Sequence, residues 1–358
     1  MKSKLILLIF ALFFLSFTFT NNSYSEPRRV LLEYCTGTWC QWCPCGDNTA
    51  EQILSQYPQT MVLAYHGPTG YDPFATFNGN NILGLMGFTG YPTAVIDRGN
   101  SSSNFTYNMW MNAVTQRYNS SPNTMVNLEV ASKSYNASTR ELTARINATA
   151  LSNLTGQYKI SVVITENNLI YSQTGNGTCP GSSSWVHNWV VRSMVNGAEG
   201  DSLNTSAWNQ NQTLTKNIST TLDAGWVAGN CDLNIFVFKD TSPMYMSDIQ
   251  QTIGQSVTLP LGVSGSNNEV PSDFSLSQNY PNPFNPTTHV KFTLPKDGNV
   301  SLKVYDMLGN EVETYVNGFL KAGLYNADID GSNWASGVYF YKLVTSEFTA
   351  TKKMMLVK

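Results

Sequence analysis

Hydrophobic and polar positions change texture along the chain. From about Arg28 to Asn119 short apolar runs alternate with amphipathic ones. Val30–Tyr34, Met61–Tyr65 and Thr93–Asp97 read as buried strands. Asn48–Tyr57, Asn78–Met86 and Trp110–Tyr118 read as helices, the last with Trp110, Val114 and Tyr118 on one face. Such alternation predicts an α/β layer architecture. From about Asn123 to Thr258 the period shortens to two, as in Val126–Val130, Glu141–Ile146, Ile160–Thr165 and Leu233–Phe238, with Asn, Gly and Ser between the runs. This predicts an antiparallel β-sandwich. Leu261–Asp273, rich in Gly, Ser and Asn, has the composition of a linker. Phe274–Lys358 alternates again at Val290–Leu294, Val300–Tyr305 and Val338–Leu343, which predicts a small sandwich of about seven strands.

The start of the chain has a different purpose. Lys2 and Lys4 precede an apolar run from Leu5 to Phe19, polar Asn21-Asn22-Ser23 follow, and Ser23 and Ser25 flank Tyr24 as a cleavage site before Glu26. That is the layout of a secretory signal peptide over residues 1–25. The run is shorter than the ~20 residues a spanning helix needs. No other stretch is long and apolar enough, so no transmembrane helix is expected in the mature chain.

Composition fits export. Of 358 residues, 13% are charged, about half the ordinary ~25%. A net charge of −3 offers no basic surface, which argues against nucleic acid as a partner. Hydrophobic residues make up 42%, enough for real cores. The three histidines, His66, His187 and His289, lie far apart, so a multi-histidine metal site is not indicated, and no cofactor is implied. An exported chain meets an oxidising compartment, where disulfides persist.

Candidate chemistry concentrates in Cys35, Cys40, Cys43 and Cys45. Cys40-Gln41-Trp42-Cys43 stands between a predicted strand and the first predicted helix. The unpaired N–H groups and partial positive charge of a helix N-terminus favour thiolate over thiol. Cys40 is then the attacking nucleophile, and Cys43, one turn further in, resolves the mixed disulfide. Two other readings stay open: inert structural disulfides, or a metal site, since Cys35-x4-Cys40-x2-Cys43 matches the first three ligands of a ferredoxin spacing. Cys35 and Cys45 could pair with each other or serve as extra exchange partners. Cys179 and Cys231, the only cysteines outside the cluster, are expected to pair as a structural disulfide.

Trp39-Cys40-Gln41-Trp42-Cys43-Pro44, together with Tyr91-Pro92-Thr93, resembles the thioredoxin superfamily. The resemblance implies a thioredoxin-like domain over residues 26–120, with Tyr91 and Pro92 opposite the cysteine pair as substrate-binding residues. Thioredoxins place an acid six residues before the first cysteine; here that position is Tyr34, and Glu33 is one residue off. A one-residue shift in a strand reverses the face, so Glu33 is not expected to shuttle protons. Glu33–Cys40, Tyr65-His66, Asp72-Pro73-Phe74 and Val186–Arg192 are similar to the secreted, Omp28-related branch of Bacteroidetes and Chlorobi-type bacteria, whose second part would be the β-sandwich at 121–260. His66, His187 and Arg192 are read as structural or packing residues, and Asp72-Pro73-Phe74 as a loop near the active face.

Phe274–Thr288, containing Tyr280-Pro281-Asn282-Pro283-Phe284-Asn285-Pro286, resembles the opening of the type A sorting domain of the type IX secretion system (T9SS). Val304–Gly309, Ala335–Tyr341 and Lys352–Lys358 agree with it across residues 274–358. This implies a Sec signal followed by type IX export, the secretion machinery as a partner, and a secreted or outer-membrane surface-attached product. The expected function is thiol–disulfide exchange on extracellular or cell-surface proteins. The alternative is a non-catalytic surface binding or adhesion protein with a stapled thioredoxin-like scaffold.

Overall fold

A computed structural model describes residues 25–99, 105–266, 271–320 and 322–358; nearly all of the expected signal peptide lies outside the described residues. The first region runs β1 (Leu31–Thr36), α1 (Cys43–Gln56), β2 (Met61–His66), α2 (Ile82–Leu85), β3 (Thr93–Ile96), β4 (Phe105–Thr106) and α3 (Tyr107–Ser120). α1 extends five residues further N-terminally than its apolar periodicity suggests, because Pro44 sits in the first turn, where its fixed φ suits a helix and its missing N–H is not needed. The expected Asn78–Met86 helix shrinks to Ile82–Leu85, with Gly79 and Gly87 at positive φ on either side.

The next region supplies β5 (Val126–Asn136), β6 (Glu141–Ala150), β7 (Tyr158–Glu166), β8 (Leu169–Gln173), β9 (Ser182–His187), β10 (Val190–Met194), β11 (Asp201–Ser202), β12 (Thr213–Thr221), β13 (Cys231–Lys239) and β14 (Asp248–Ser256). The two regions do not separate at residue 120 as the change of period suggests. A nine-stranded sheet runs β14-β13-β7-β10-β2-β1-β3-β4, with β11 beside β7. β10 joins β2 in parallel, Val190 opposite Ala64, so both regions share one sheet.

The sheet is covered on both faces. Val30, Leu32, Tyr34, Val62, Ala64 and Ala94 pack under α1 and α3 with Ala50, Ile53, Trp110 and Val114. Leu31, Leu63, Tyr65 and Val95 face the opposite way, with Ile82, Met86, Phe236 and Phe238. Burial on both sides explains why these strands are continuously apolar rather than alternating. The three-stranded sheet β12-β6-β5 buries Leu142, Ile146, Val126 and Leu128 against Ile160, Val162, Ile164, Leu233 and Ile235. The sandwich thus exists, but one of its sheets is an extension of the α/β sheet.

The C-terminal unit is two four-stranded sheets closed over Phe292, Tyr325, Leu302, Tyr341 and Leu343. Seven of its strands follow Asp273. The eighth, Val263–Ser266, comes from the expected linker and pairs antiparallel with Gly323–Asp330. Among the described residues no helix is long and apolar enough to cross a membrane.

Candidate functional site

The Cys-x-x-Cys segment sits between the end of β1 and the start of α1. Cys40 and Cys43 form a disulfide, and α1 opens at Cys43 with no acidic residue in its first turn and no side-chain cap. Pro44 brings no N–H to that turn and Cys45 N–H donates to Trp42 O at 3.2 Å, so what the helix end offers the cysteine pair is the positive end of its dipole, with no first-turn carboxylate to offset it. Backbone bonds fix the approach: Cys40 N–H donates to Gly37 O at 3.0 Å and Cys43 N–H to Cys40 O at 3.2 Å. Cys40 is 4% exposed and Cys43 fully buried.

Pro92 lies against the same helix. A Cβ on Gly46 would stand 3.1 Å from Pro92 Cβ and Cγ and from the Trp110 ring, so any larger residue there needs one of them to give by a few tenths of an ångström. The Tyr91–Pro92 peptide is cis. Tyr91 packs against Trp39, ring centroids 5.3 Å apart, and the Trp39 indole N–H donates to Gly67 O at 2.9 Å. Trp39 and Trp42 are both exposed beside the cysteine pair.

Behind the segment lies a polar cluster. Asp72 is buried and accepts from Thr38 N–H at 2.6 Å and Phe74 N–H at 2.8 Å, and pairs with His66 Nδ1 at 3.1 Å. Burial alone would raise its pKa, but the His66 and backbone hydrogen bonds outweigh this and hold it below the usual carboxylate range. The loop Asp72-Pro73-Phe74 thus anchors the residue two before Cys40. His187 packs edge-on against His66 at 5.4 Å, and Arg192 pairs with Glu166 at 3.3 Å and lies over Phe74. All three behave as packing and anchoring residues.

Glu33 lies on the sheet face opposite α1, buried with Arg98 in a two-bond ion pair at 2.7 Å and accepting from the Tyr65 hydroxyl at 2.8 Å. Tyr34 faces α1 and donates to Asp47 at 2.9 Å; the Trp185 indole N–H donates to the other Asp47 oxygen at 3.1 Å. Desolvation pushes Asp47 up to about 6. Asp47 carries no local sequence signature.

The expected Cys179–Cys231 disulfide is not formed. Cys179 pairs instead with Cys45 on α1, and Cys231 is a free, buried thiol. The reason is tertiary: the β8–β9 hairpin carries Cys179 away from the sandwich core and over the start of α1, while Cys231 begins β13 inside that core, its Sγ donating to Val227 O at 3.5 Å. Cys35 is also free and buried, with its thiol pushed up to about 11 by desolvation and its Sγ 3.0 Å from Gly90 O. Neither free thiol is available for exchange as it stands. Among the described residues no three histidine, cysteine or acidic side chains gather as a metal site.

The hairpin is the part sequence reasoning missed. The Gln173 amide nitrogen donates to Gly37 O at 3.1 Å and Cys40 O at 3.0 Å, Thr174 N–H to Thr38 O at 2.7 Å, and the Asn176 amide to Gln41 O at 3.0 Å. The position of Cys179 was its one local clue.

Residues 81–256 match the family described as Outer membrane protein Omp28, a match that begins after the cysteine pair. Residues 278–358 match the family described as Secretion system C-terminal sorting domain. No curated protein matches the chain. Among solved structures, HBP35 of Porphyromonas gingivalis is similar over 93% of this chain and 99% of its own, at 16% identity and a TM-score of 0.56, a likeness of fold. A pullulanase from Bacillus acidopullulyticus aligns over 64% of this chain and 37% of its own at 12% identity, with a TM-score of 0.16 that carries no argument. The chain is a secreted cell-surface protein with a region similar to the Omp28 family and a C-terminal T9SS sorting domain.

Proposed function

We propose that the protein is a thiol–disulfide oxidoreductase acting on extracellular or cell-surface proteins, built on a thioredoxin-like unit spanning β1 to α3. The observation that carries this reading is the Cys40–Cys43 disulfide at the uncapped N-terminus of α1, with Pro92 packed against the same helix. The strand order β2-β1-β3-β4, with α1 between parallel β1 and β2, also supports it.

In the reduced protein the Cys40 thiolate attacks one sulfur of a substrate disulfide and expels the other as a thiolate. Cys43, deprotonated, then attacks Cys40 Sγ, forming Cys40–Cys43 and releasing the second substrate thiolate. Two electrons pass from protein to substrate, and the reverse sequence oxidises a substrate dithiol. Tyr91 and Pro92 would line the approach for the substrate backbone.

A second reading has its own observation. Cys40 is almost enclosed and the hairpin lies over its segment, as suits a stapled scaffold for surface binding or adhesion. The reduction potential of Cys40–Cys43 separates the two: a value above about −300 mV supports exchange, and one below it a structural bond. In an insulin-reduction assay Cys40→Ser should be inactive, and Cys43→Ser should accumulate a mixed disulfide with substrate. Wild-type activity in Cys40→Ser would refute the oxidoreductase reading.

A further inference from the structure

The β8–β9 hairpin is a two-stranded sheet among the described residues, and Ile170, Tyr171 and Val186 on it are exposed. An isolated hairpin is marginal in water, so its position depends on what fastens it to the body. Its tip is fastened to the Cys-x-x-Cys segment by the Gln173, Thr174 and Asn176 hydrogen bonds, and by the Cys45–Cys179 disulfide. Cys45 is half-buried, whereas Cys179 is fully enclosed. Cys40, whose carbonyl accepts one of this strap's bonds, has 4% of its surface exposed, a tight approach for a protein thiolate.

We propose that Cys45–Cys179 is a second exchangeable disulfide that latches the strap over Cys40, and that its reduction by a dithiol opens the site. The reductant's thiolate attacks Cys45 Sγ, the accessible sulfur, forming a mixed disulfide and expelling Cys179 as a thiolate that takes a proton from water. The reductant's second thiolate displaces Cys45, leaving as its own disulfide while Cys45 is protonated. Two electrons pass from the dithiol to the latch. The hairpin, then held by hydrogen bonds and by the packing of His187 and Tyr171 on Phe74, swings off and uncovers Cys40. A bond joining a two-stranded hairpin to a helix, rather than two parts of a core, is placed to move something when it breaks. This inference rests on the reading of Cys40–Cys43 as an exchanging pair.

The test treats the oxidised full chain with limiting dithiothreitol and follows every cysteine by differential alkylation and peptide mass mapping. In the wild type, reduction of Cys40–Cys43 should lag behind reduction of Cys45–Cys179. In Cys45→Ser/Cys179→Ser the lag should vanish and Cys40–Cys43 should be reduced roughly tenfold faster, as when a local opening step is removed. Equal rates in both proteins, or a wild type in which Cys40–Cys43 is reduced first, would overturn the latch. Should the double variant fail to fold, hydrogen exchange on the wild type decides: amides of 169–187 should lose protection when the latch alone is reduced, and unchanged protection overturns the proposal. A Cys40–Cys43 potential below about −300 mV would refute the oxidoreductase reading alone, since the lag reports access to the bond whatever its potential.

Discussion

His187 shows how a single buried side chain couples the site to pH. Its ring packs against His66 and Phe74 at 5.4 Å from each, and its Nε2 has no hydrogen-bond partner. Desolvation, aided by the neighbouring His66, brings its pKa down to about 4. The folded value lies below the unfolded ~6.5, so the contribution is complete above pH ~6.5. It is lost as pH falls toward the folded value, because the unfolded chain takes the proton first, by up to roughly 3 kcal/mol. His187→Phe keeps a ring in the contact while removing the proton site and the orphaned nitrogen. Its melting temperature should therefore drop less than the wild type's between about pH 7 and about pH 4; equal drops would show that His187 does not carry this acid sensitivity. The sequence named His66, Asp72, His187 and the cysteines, because such residue types announce their chemistry. It could not name Asp47 or Gln173, whose roles come from Tyr34, Trp185 and Cys40, each reached only after the chain has folded back.

At the scale of elements, a glycine decides how close the Pro92 loop comes to α1. Gly46→Ala would place a methyl 3.1 Å from Pro92 and the fully buried Trp110 ring. Trp110 is held by its own indole hydrogen bond to Phe105 O at 2.7 Å, so it cannot easily yield. Overpacking of this kind costs about 1–3 kcal/mol. Thermal unfolding should show a clear fall in the melting temperature of Gly46→Ala, and an unchanged value would mean that the loop is free to retreat. Strands β1, β2 and β3 were legible because burial on both faces leaves unbroken apolar runs such as Met61–Tyr65. The helix expected at Asn78–Met86 is confined to Ile82–Leu85 because Gly79 and Gly87 take positive φ on either side of it. The β8–β9 hairpin left no clear pattern because it packs on the body through hydrogen bonds, a disulfide and a few polar or aromatic side chains such as Gln173 and His187, not through a continuous apolar face.

The whole molecule divides elsewhere than composition suggests. A change of period marks residue 120, yet the sheet continues across it through the β10–β2 pairing, a contact between residues far apart in sequence. Conversely, Leu261–Asp273 has a linker's composition, but Val263–Ser266 completes a sheet of the sorting unit, and Leu259 and Val263 enter its core. On the other side the Lys133 ammonium donates to the carbonyls of Ser256, Val257 and Leu259, gripping the chain where it leaves the first body. The join between the two bodies therefore falls at about residues 259–262. A tag beginning at Phe274 lacks a strand and two core residues, so a fragment spanning 259–358 should unfold at higher temperature than one spanning 274–358. Export follows the same boundary. Deleting residues 261–358 should leave the nine-stranded sheet intact and the Cys40–Cys43 pair reducible at the wild-type rate, but should strand the protein in the periplasm. Fusing 259–358 to a periplasmic reporter should carry that reporter to the cell surface in a host with this secretion system. Fractionation decides: a truncated chain that reaches the surface or medium as efficiently as the full-length protein would show that the C-terminal unit is not what directs its export.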